Sequence, residues 1–592
     1  SVIQQNHNVQ VKELLMSFLG ISKSYSNKEW IGPSEQNLQQ ALAYSKSLSI
    51  PHLSAFQLIK NKINEEDYLD YISPKIKNLI PSPKIFLDME KGSLRLRRAL
   101  EQKESVAIFA DYDVDGTVSA ALISLWLRNF SIEPTVYIPD RETEGFGPNI
   151  DAMNKLALNH SLIICVDCGT DSEEAIRGAT ERGVDVIVID HHKSDTFSKS
   201  AYAIINPNRF DEKNIFPYLC AAGVVFIFLV EMNRIIPESR SSKINLLSYL
   251  NLVSLATVAD VVPLIGLNRA FVKQGLKIFQ NRLCLKMFGT HFNLLQNFNE
   301  ETIAFQVAPR LNASGRIDTA YLTYQFLTAT DPKSIEIYLN KMEAANKERK
   351  ALEKIILSSA VQQISNAEKQ KPYTLVKAKG WHKGVIGIIA SRLKDLYGGL
   401  CVAITIDGDV GHGSIRSTEE IDLTEILQEL KSRDVLISGG GHKQAAGFSL
   451  LIDRIEEFDN IVTNYLSDHT SLKNSSALLE IDGMIDIECV NTDLIDKINL
   501  LGPFGSQVPQ PIIVIPSCQL LFVKELGEGH LLCKLKKKEG TLDAICFNAK
   551  KKGLDIPLSK PNQILHLAGN LVKNEWNGVT KPQMRIIDIA KI

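Results

Sequence analysis

The sequence predicts an α/β protein of several domains, built around a parallel β-sheet covered on both faces. Three observations predict it. Four short runs, VAIFAD (106–111), PTVYIPDR (134–141), LIICVD (162–167) and VDVIVID (184–190), are apolar on both parities and separated by helix-length segments; strands buried on both faces read this way. Each run closes on an aspartate, and in open α/β sheets ligands bind at the carboxyl ends of the strands. With 592 residues, 44% of them hydrophobic, the chain can bury several cores, and about 100–200 residues per domain gives three or four domains.

The segments follow in order. Residues 1–80 are polar with helical stretches around a lone Trp30 and Pro51, and are expected to form a small helical cap on the next domain. Residues 81–330 carry the four strand runs. Between 331 and 370 apolar Ile335, Leu339, Met342, Leu352 and Ile356 recur near helical period in a highly charged stretch, which predicts a connecting helix. A smaller α/β domain is expected over 371–470. Residues 471–592 hold strand-like runs broken by Gly, Pro and Asn, as in a small β-barrel.

Composition narrows the classes. No run of about 18 uncharged apolar residues occurs, no basic-then-apolar leader is evident, and nine scattered cysteines read as reduced thiols, so a soluble, cytoplasmic protein is expected. Cys165 and Cys168 form one C-x-x-C with no second pair at zinc-finger spacing, so no zinc site is expected. A net charge of -2 excludes a uniformly basic nucleic-acid binder but not local patches.

The strand ends then form a site. FADYDVDG (109–116) places Asp111, Asp113 and Asp115 at alternate positions and ends in Gly116, with a helix expected from about Thr117. Like charges this close repel unless cations sit among them. VDCG adds Asp167, IDHHKSD adds Asp190, His191 and His192, and ATVADVVPL adds Asp260. A single aspartate after a strand is more often a helix N-cap than a ligand; four such pieces at four strand ends favour a metal site. Oxygen ligands with one or two imidazoles fit Mn²⁺ or Mg²⁺, and two ions roughly 3.5–4 Å apart, bridged by a shared carboxylate, would offset the crowding.

In this order D-x-D-G, D-C-G, D-H-H (190–192) and A-D-V-V-P resemble the motifs of the DHH phosphoesterase superfamily. RLNASGR (310–316), WHKGVIGIIASRL (381–393), GSIRS (413–417), GGGHKQAAGF (439–448) and LGPFGSQVPQP (501–511) resemble its RecJ branch of single-strand-specific 5′-to-3′ DNA exonucleases, over roughly residues 80–592. The resemblance implies a DHH core, a DHHA1-type second domain closing a cleft, and a C-terminal OB-fold barrel. It implies Asp113, Asp115, Asp167, His191 and Asp260 as ligands of two Mn²⁺ or Mg²⁺ ions, with Asp167 bridging, Asp111 as an additional candidate and His192 at the scissile phosphate. Many members carry a histidine four positions before the first aspartate of D-x-D-G. Phe109 stands there instead, so Asp111 or water takes that coordination place, or the ion binds more weakly.

End recognition needs cationic forks and hydroxyls. In GSIRS, Ser414 and Arg416 share one face of an extended run, where a guanidinium and a hydroxyl can grip a terminal phosphate. The resemblance adds Arg316, Arg141 and Arg310 to this 5′-phosphate pocket. GGGH can offer backbone N–H groups to a phosphate or simply turn the chain; with KQAAGF after it, a phosphate role for Gly440, Gly441 and His442 is the expectation. Residues 521–592 carry 13 Lys and Arg against 7 Asp and Glu. Lys536, Lys537, Lys538 and Lys551 could track a phosphate backbone, with Phe547 or Trp576 stacking on bases. The expected activity is hydrolysis of single-stranded DNA to 5′-mononucleotides in recombination and repair, by a monomer. A single-stranded-DNA-binding protein and a RecQ-type helicase are the partners that the resemblance implies. The same core also serves phosphodiesterases and pyrophosphatases of small substrates, which need neither connector nor basic module. A catalytically dead DNA-binding scaffold is the remaining alternative, and the intact acidic set argues against it.

Overall fold

The computed structural model describes residues 15–592 except 141–142, 214, 297, 366–371, 419–420, 469–476, 528, 561 and 577. Two compact units result: Ile76–Lys473, and a second drawn from Ser1–Lys75 and Asn474–Ile592.

In the first unit β1 (Val106–Ala110), β2 (Thr135–Tyr137), β3 (Leu162–Val166), β4 (Asp185–Ile189) and β5 (Ala203–Ile205) form a parallel sheet in the order β2-β1-β3-β4-β5. The continuous apolar runs are explained by two separate cores. Ile108, Ala110, Ile164, Val166, Ile187 and Ile189 enter one, beside the apolar helices α1 (Val114–Arg128) and α2 (Ala221–Ile235). Ala107, Phe109, Ile163, Cys165, Val186 and Val188 enter the other, packed by Ile150–Ala157 and Glu173–Thr180. Two details differ from the sequence reading. The PTVYIPDR run yields only three paired residues, and β5 was not anticipated because three residues are too short to show a period.

Further helices follow, of which α3 (Leu250–Ala259) and α4 (Ala308–Ile317) matter for the site. The expected connector is α5 (Pro332–Ser365), 34 residues and about 51 Å long at 1.5 Å per residue. Its first half sends Ile335, Leu339 and Met342 into the sheet domain's core, and its second half sends Ile356 and Ala360 into the next domain's. It is therefore a packed spine. The next domain contains β6 (Thr374–Lys379), α6 (Lys383–Tyr397), β7 (Cys401–Asp407), β8 (Val410–Arg416), β9 (Ser438–His442) and β10 (Ala445–Leu451), with sheet order β9-β10-β8-β7-β6.

The second unit holds a closed barrel of β11 (Ile513–Leu526), β12 (His530–Lys537), β13 (Gly540–Cys546), β14 (Ile564–Trp576) and β15 (Val579–Lys591), with β11 pairing both β12 and β14. The expectation for residues 1–80 is corrected here. Lys28–Pro33 pairs with Leu15–Ser17 and with Ala477–Glu480, and the buried Trp30 indole donates to the Asp588 carboxylate at 2.9 Å. Helices Glu35–Leu48 and His52–Lys60 do form, but Leu53 and Trp30 bury in this unit's own cores, so the segment is part of the barrel unit. Periodicity within a segment shows that an apolar face exists, not which core takes it. Among the described residues, no helix is long and apolar enough to cross a membrane.

Candidate metal centre and phosphate cleft

Sheet order reverses between β1 and β3, and such a switch point opens a crevice at the strands' carboxyl ends. Asp111 follows β1 directly and Asp167 follows β3, so these two of the four strand-end aspartates flank that crevice.

Asp113 is the N-cap of α1, accepting from Gly116 N at 3.0 Å; the helix thus begins three residues before the expected Thr117. Gly116 is required by close approach, since a Cβ there would collide with the Asp111 backbone. Asp115, 1% exposed, accepts from Ala221 N at 2.7 Å and Ala222 N at 2.8 Å, the first two amides of α2. Asp167 sits at φ +60°, and its buried Oδ1 accepts no hydrogen bond among the described residues. His191 Nε2 lies 3.3 Å from Asp167 Oδ1, 3.6 Å from Asp260 Oδ2 and 3.8 Å from Asp115 Oδ2. Asp260 caps the carboxyl end of α3.

Asp190 does not join the donors as the sequence reading had it. Its carboxylate accepts from the Thr170 hydroxyl at 2.6 Å and from His191 N at 2.7 Å, and lies 2.8 Å from His192 Nδ1. Asn206 donates to the Thr170 hydroxyl and to the His192 carbonyl, and Asn208 to the His191 carbonyl. These residues hold the backbone of both histidines and the imidazole of His192. Nothing in the sequence marked Thr170, Asn206 or Asn208, because their role exists only through contacts across strand ends.

Three donor groups result: Asp111, Asp113 and Asp167; Asp115, His191 and Asp260; and Asp167, His191 and His192. Asp167 is shared by two of them. Burial, with the charge of Asp113 next, pushes the Asp115 carboxyl up to about 7. Burial and the neighbouring carboxylates likewise raise Asp167 and Asp260. His192 is raised to about 10; burial opposes this and is outweighed by Asp190 and then by Asp111 and Asp260. Buried carboxylates that repel one another, one with an unsatisfied oxygen, fit hard divalent cations. Phe109 is fully buried and stacks on Tyr137 at 5.6 Å, while Asp111 stands within the first donor group. Cys165 and Cys168 are buried thiols outside these groups.

A second cluster of functional candidates lies across the cleft. Gly315 of α4 meets the Tyr112 carbonyl, where a Cβ would sit 3.1 Å away, and the adjacent Arg316 donates to the Gly384 carbonyl at 3.0 Å. Gly384 and Gly387 belong to the first turns of α6, and a Cβ on Gly387 would lie 3.2 Å from Arg416 Nη2 and 3.4 Å from Ser414 Oγ. Arg416 donates to Ser414 Oγ at 2.9 Å. Two guanidiniums, a hydroxyl and a helix amino end therefore share one place, a constellation that binds anions. Gly384 and Gly387 lay in a quoted motif, but no role could be assigned without this packing.

GGGH is the edge strand β9, neither a loop nor a turn. Gly440 pairs Gly447, which pairs Ser414; His442 pairs Ala445, which pairs Arg416. The register thus aligns these backbone positions with the phosphate candidates. Arg310 is not brought there, since its guanidinium donates to the Gln306 carbonyl at 2.6 Å and lies 4.6 Å from the Phe292 ring centroid. Arg141 lies outside the described residues, as do the side chains of His442 and Trp576.

On the barrel, Lys537 pairs with Asp486. Lys536, Lys538 and Lys551 carry no ion pair among the described residues. Phe547 is 43% exposed, and Phe522, which the sequence reading did not select, is 50% exposed opposite Lys534.

Family models match over most of this architecture: the DHH family N-terminal domain at 105–257, the DHHA1 domain at 370–468 and the RecJ OB domain at 481–588. The single-stranded-DNA-specific exonuclease RecJ of Bacillus subtilis is 30% identical over 510 residues, covering 85% of this chain and 63% of that protein. The chain thus spans under two thirds of that relative's length. The Haemophilus influenzae protein of the same name is 28% identical, covering 86% of this chain and 92% of its own. RecJ from Thermus thermophilus in complex with Mn²⁺ superposes with a TM-score of 0.77 at 24% identity, over 95% of this chain and 79% of that one. An exonuclease RecJ bound to manganese gives 0.56 at 26% identity, over 66% and 96%. The fold is that of the DHH family, with a DHHA1 domain and a RecJ OB domain beside the DHH domain. In this domain set the chain resembles the RecJ exonucleases.

Proposed function

We propose that the chain is a divalent-metal-dependent exonuclease that removes 5′-mononucleotides from the 5′ end of single-stranded DNA. The observation that carries the reading is the position of α4, whose Gly315 touches the acidic loop while Arg316 touches the amino end of α6 beside Ser414 and Arg416. A terminal phosphate held there would present its strand to the carboxylates. Two Mn²⁺ or Mg²⁺ ions held by Asp111, Asp113, Asp115, Asp167, His191 and Asp260 would supply an activated water and offset charge on the reacting phosphate. Asp167, common to two donor groups, is the bridging candidate. His192, whose cationic form Asp190 favours, would meet the scissile phosphate. Lys536, Lys538 and Lys551 with Phe547 and Phe522 would hold the trailing strand. Roles in recombination and repair, and a single-stranded-DNA-binding protein and helicase as partners, are supported by the resemblance to RecJ alone.

The test is incubation with Mn²⁺ and single-stranded DNA labelled at one end. The 5′ label should leave early as mononucleotide, while the 3′ label should yield a ladder. Hydrolysis of dinucleotides or pyrophosphate with long DNA left intact would sink the proposal.

A further inference from the structure

A cavity of about 470 Å³ opens in the Ile76–Lys473 unit at the end of α3 remote from Asp260. Asn251 lies on its wall nine residues before Asp260, about 13 Å along the helix. The polar lining is Asn245, Ser248, Asn251, Asn281, Arg282 and Thr330, which includes one cation and no carboxylate. Arg282 is partly buried, and its guanidinium meets Asn251 Oδ1 at 3.3 Å and the Tyr249 ring, whose centroid lies 6.0 Å away. That Asn251 oxygen already accepts from Leu252 N at 2.8 Å. No carboxylate among the described residues pairs with Arg282, whereas the buried Arg95 and Arg209 each meet two. Burial accordingly holds the Arg282 guanidinium below its ordinary pKa. A desolvated cation without a counter-charge is costly, and an anion entering the cavity would remove that cost.

We propose that this cavity binds a small phosphate-bearing molecule of nucleoside-monophosphate size, with the Arg282 fork on the phosphate and the asparagine amides meeting sugar or base. The volume falls in the range of small-molecule sites and exceeds what inorganic phosphate needs. The guanidinium's paired donors match phosphate oxygens. The site stands apart from the metal centre and does not depend on the chain cutting DNA.

Calorimetry on the metal-free full chain tests it, in an Arg416→Ala background that weakens the phosphate cluster beside α6. We expect dAMP to bind at least tenfold tighter than deoxyadenosine, and tighter than inorganic phosphate. Arg282→Gln should weaken dAMP at least tenfold. Thr330→Asp, a change at an exposed position that leaves the arginine in place, should do the same by charge and decides the matter if the first variant does not fold. Unchanged dAMP affinity in both variants, or equal binding of deoxyadenosine, would overturn the site. Inorganic phosphate binding as tightly as dAMP would overturn the nucleotide assignment.

Discussion

Asp167 combines three features that rarely coincide in one residue: a left-handed backbone, near-complete burial and an oxygen without a hydrogen bond among the described residues. Such a residue serves something other than stability. Asp167→Asn should abolish Mn²⁺-dependent hydrolysis. It should also stabilise the metal-free protein, with Tm rising about 2–4 °C per kcal/mol of relieved repulsion; a lower Tm would show that the charge is already compensated. Asp190→Asn acts one step removed, through the imidazoles, and should cost about 10–100-fold in metal affinity or activity. The pH dependence has a definite sign. The folded pKa of Asp115 is raised to about 7, so the native state binds the extra proton between the ordinary carboxylate range and 7. The metal-free protein therefore loses stability as pH rises through that window, and Mn²⁺ should raise Tm more at pH 7.5 than at pH 5. At this scale the sequence was informative about which side chains converge, because the D-x-D-G, D-C-G, D-H-H and A-D-V-V-P segments do bring Asp113, Asp115, Asp167, His191 and Asp260 into common donor groups. It was silent about Asp190's actual use and about Thr170, Asn206 and Asn208, whose contacts cross from one strand end to another.

Among elements, β8 and the amino end of α6 carry the most specific prediction. Arg416→Ala should reduce the preference for 5′-phosphorylated over 5′-hydroxyl ends by about tenfold or more, roughly the worth of one charge-assisted hydrogen bond, with metal affinity unchanged. Gly384→Ala would press a methyl into the Arg316 backbone and should produce the same phenotype with some loss of stability. Competition between phosphorylated and unphosphorylated oligonucleotides reads both. The α5 helix was legible from its period, and so was the barrel from its broken runs. The edge strand β9 was not, since GGGH carries no alternation and its pairing is decided by β10.

For the whole molecule, the unit boundary sets how the chain can be dissected. Cutting near residue 470 alone would leave Trp30 and Leu53 without the cores that bury them, so the informative fragment is 76–473. It should fold, keep metal-dependent hydrolysis of short oligonucleotides, and show a shallower dependence of binding on salt than the full chain, by about one unit in log–log slope for each lysine that contacts a phosphate. An equal slope would remove the barrel from the binding surface. The grouping of residues 15–75 with 474–592 lay beyond local reading, because it rests on pairings such as Trp30 with Asp588, 558 positions apart. That separation also dictates an order of assembly on the ribosome. At about 5–20 residues per second, the Trp30 indole waits roughly half a minute to two minutes for its acceptor to be synthesised. During that wait the central unit can fold completely, so the nascent amino-terminal segment is the part of this protein that a chaperone would have reason to hold.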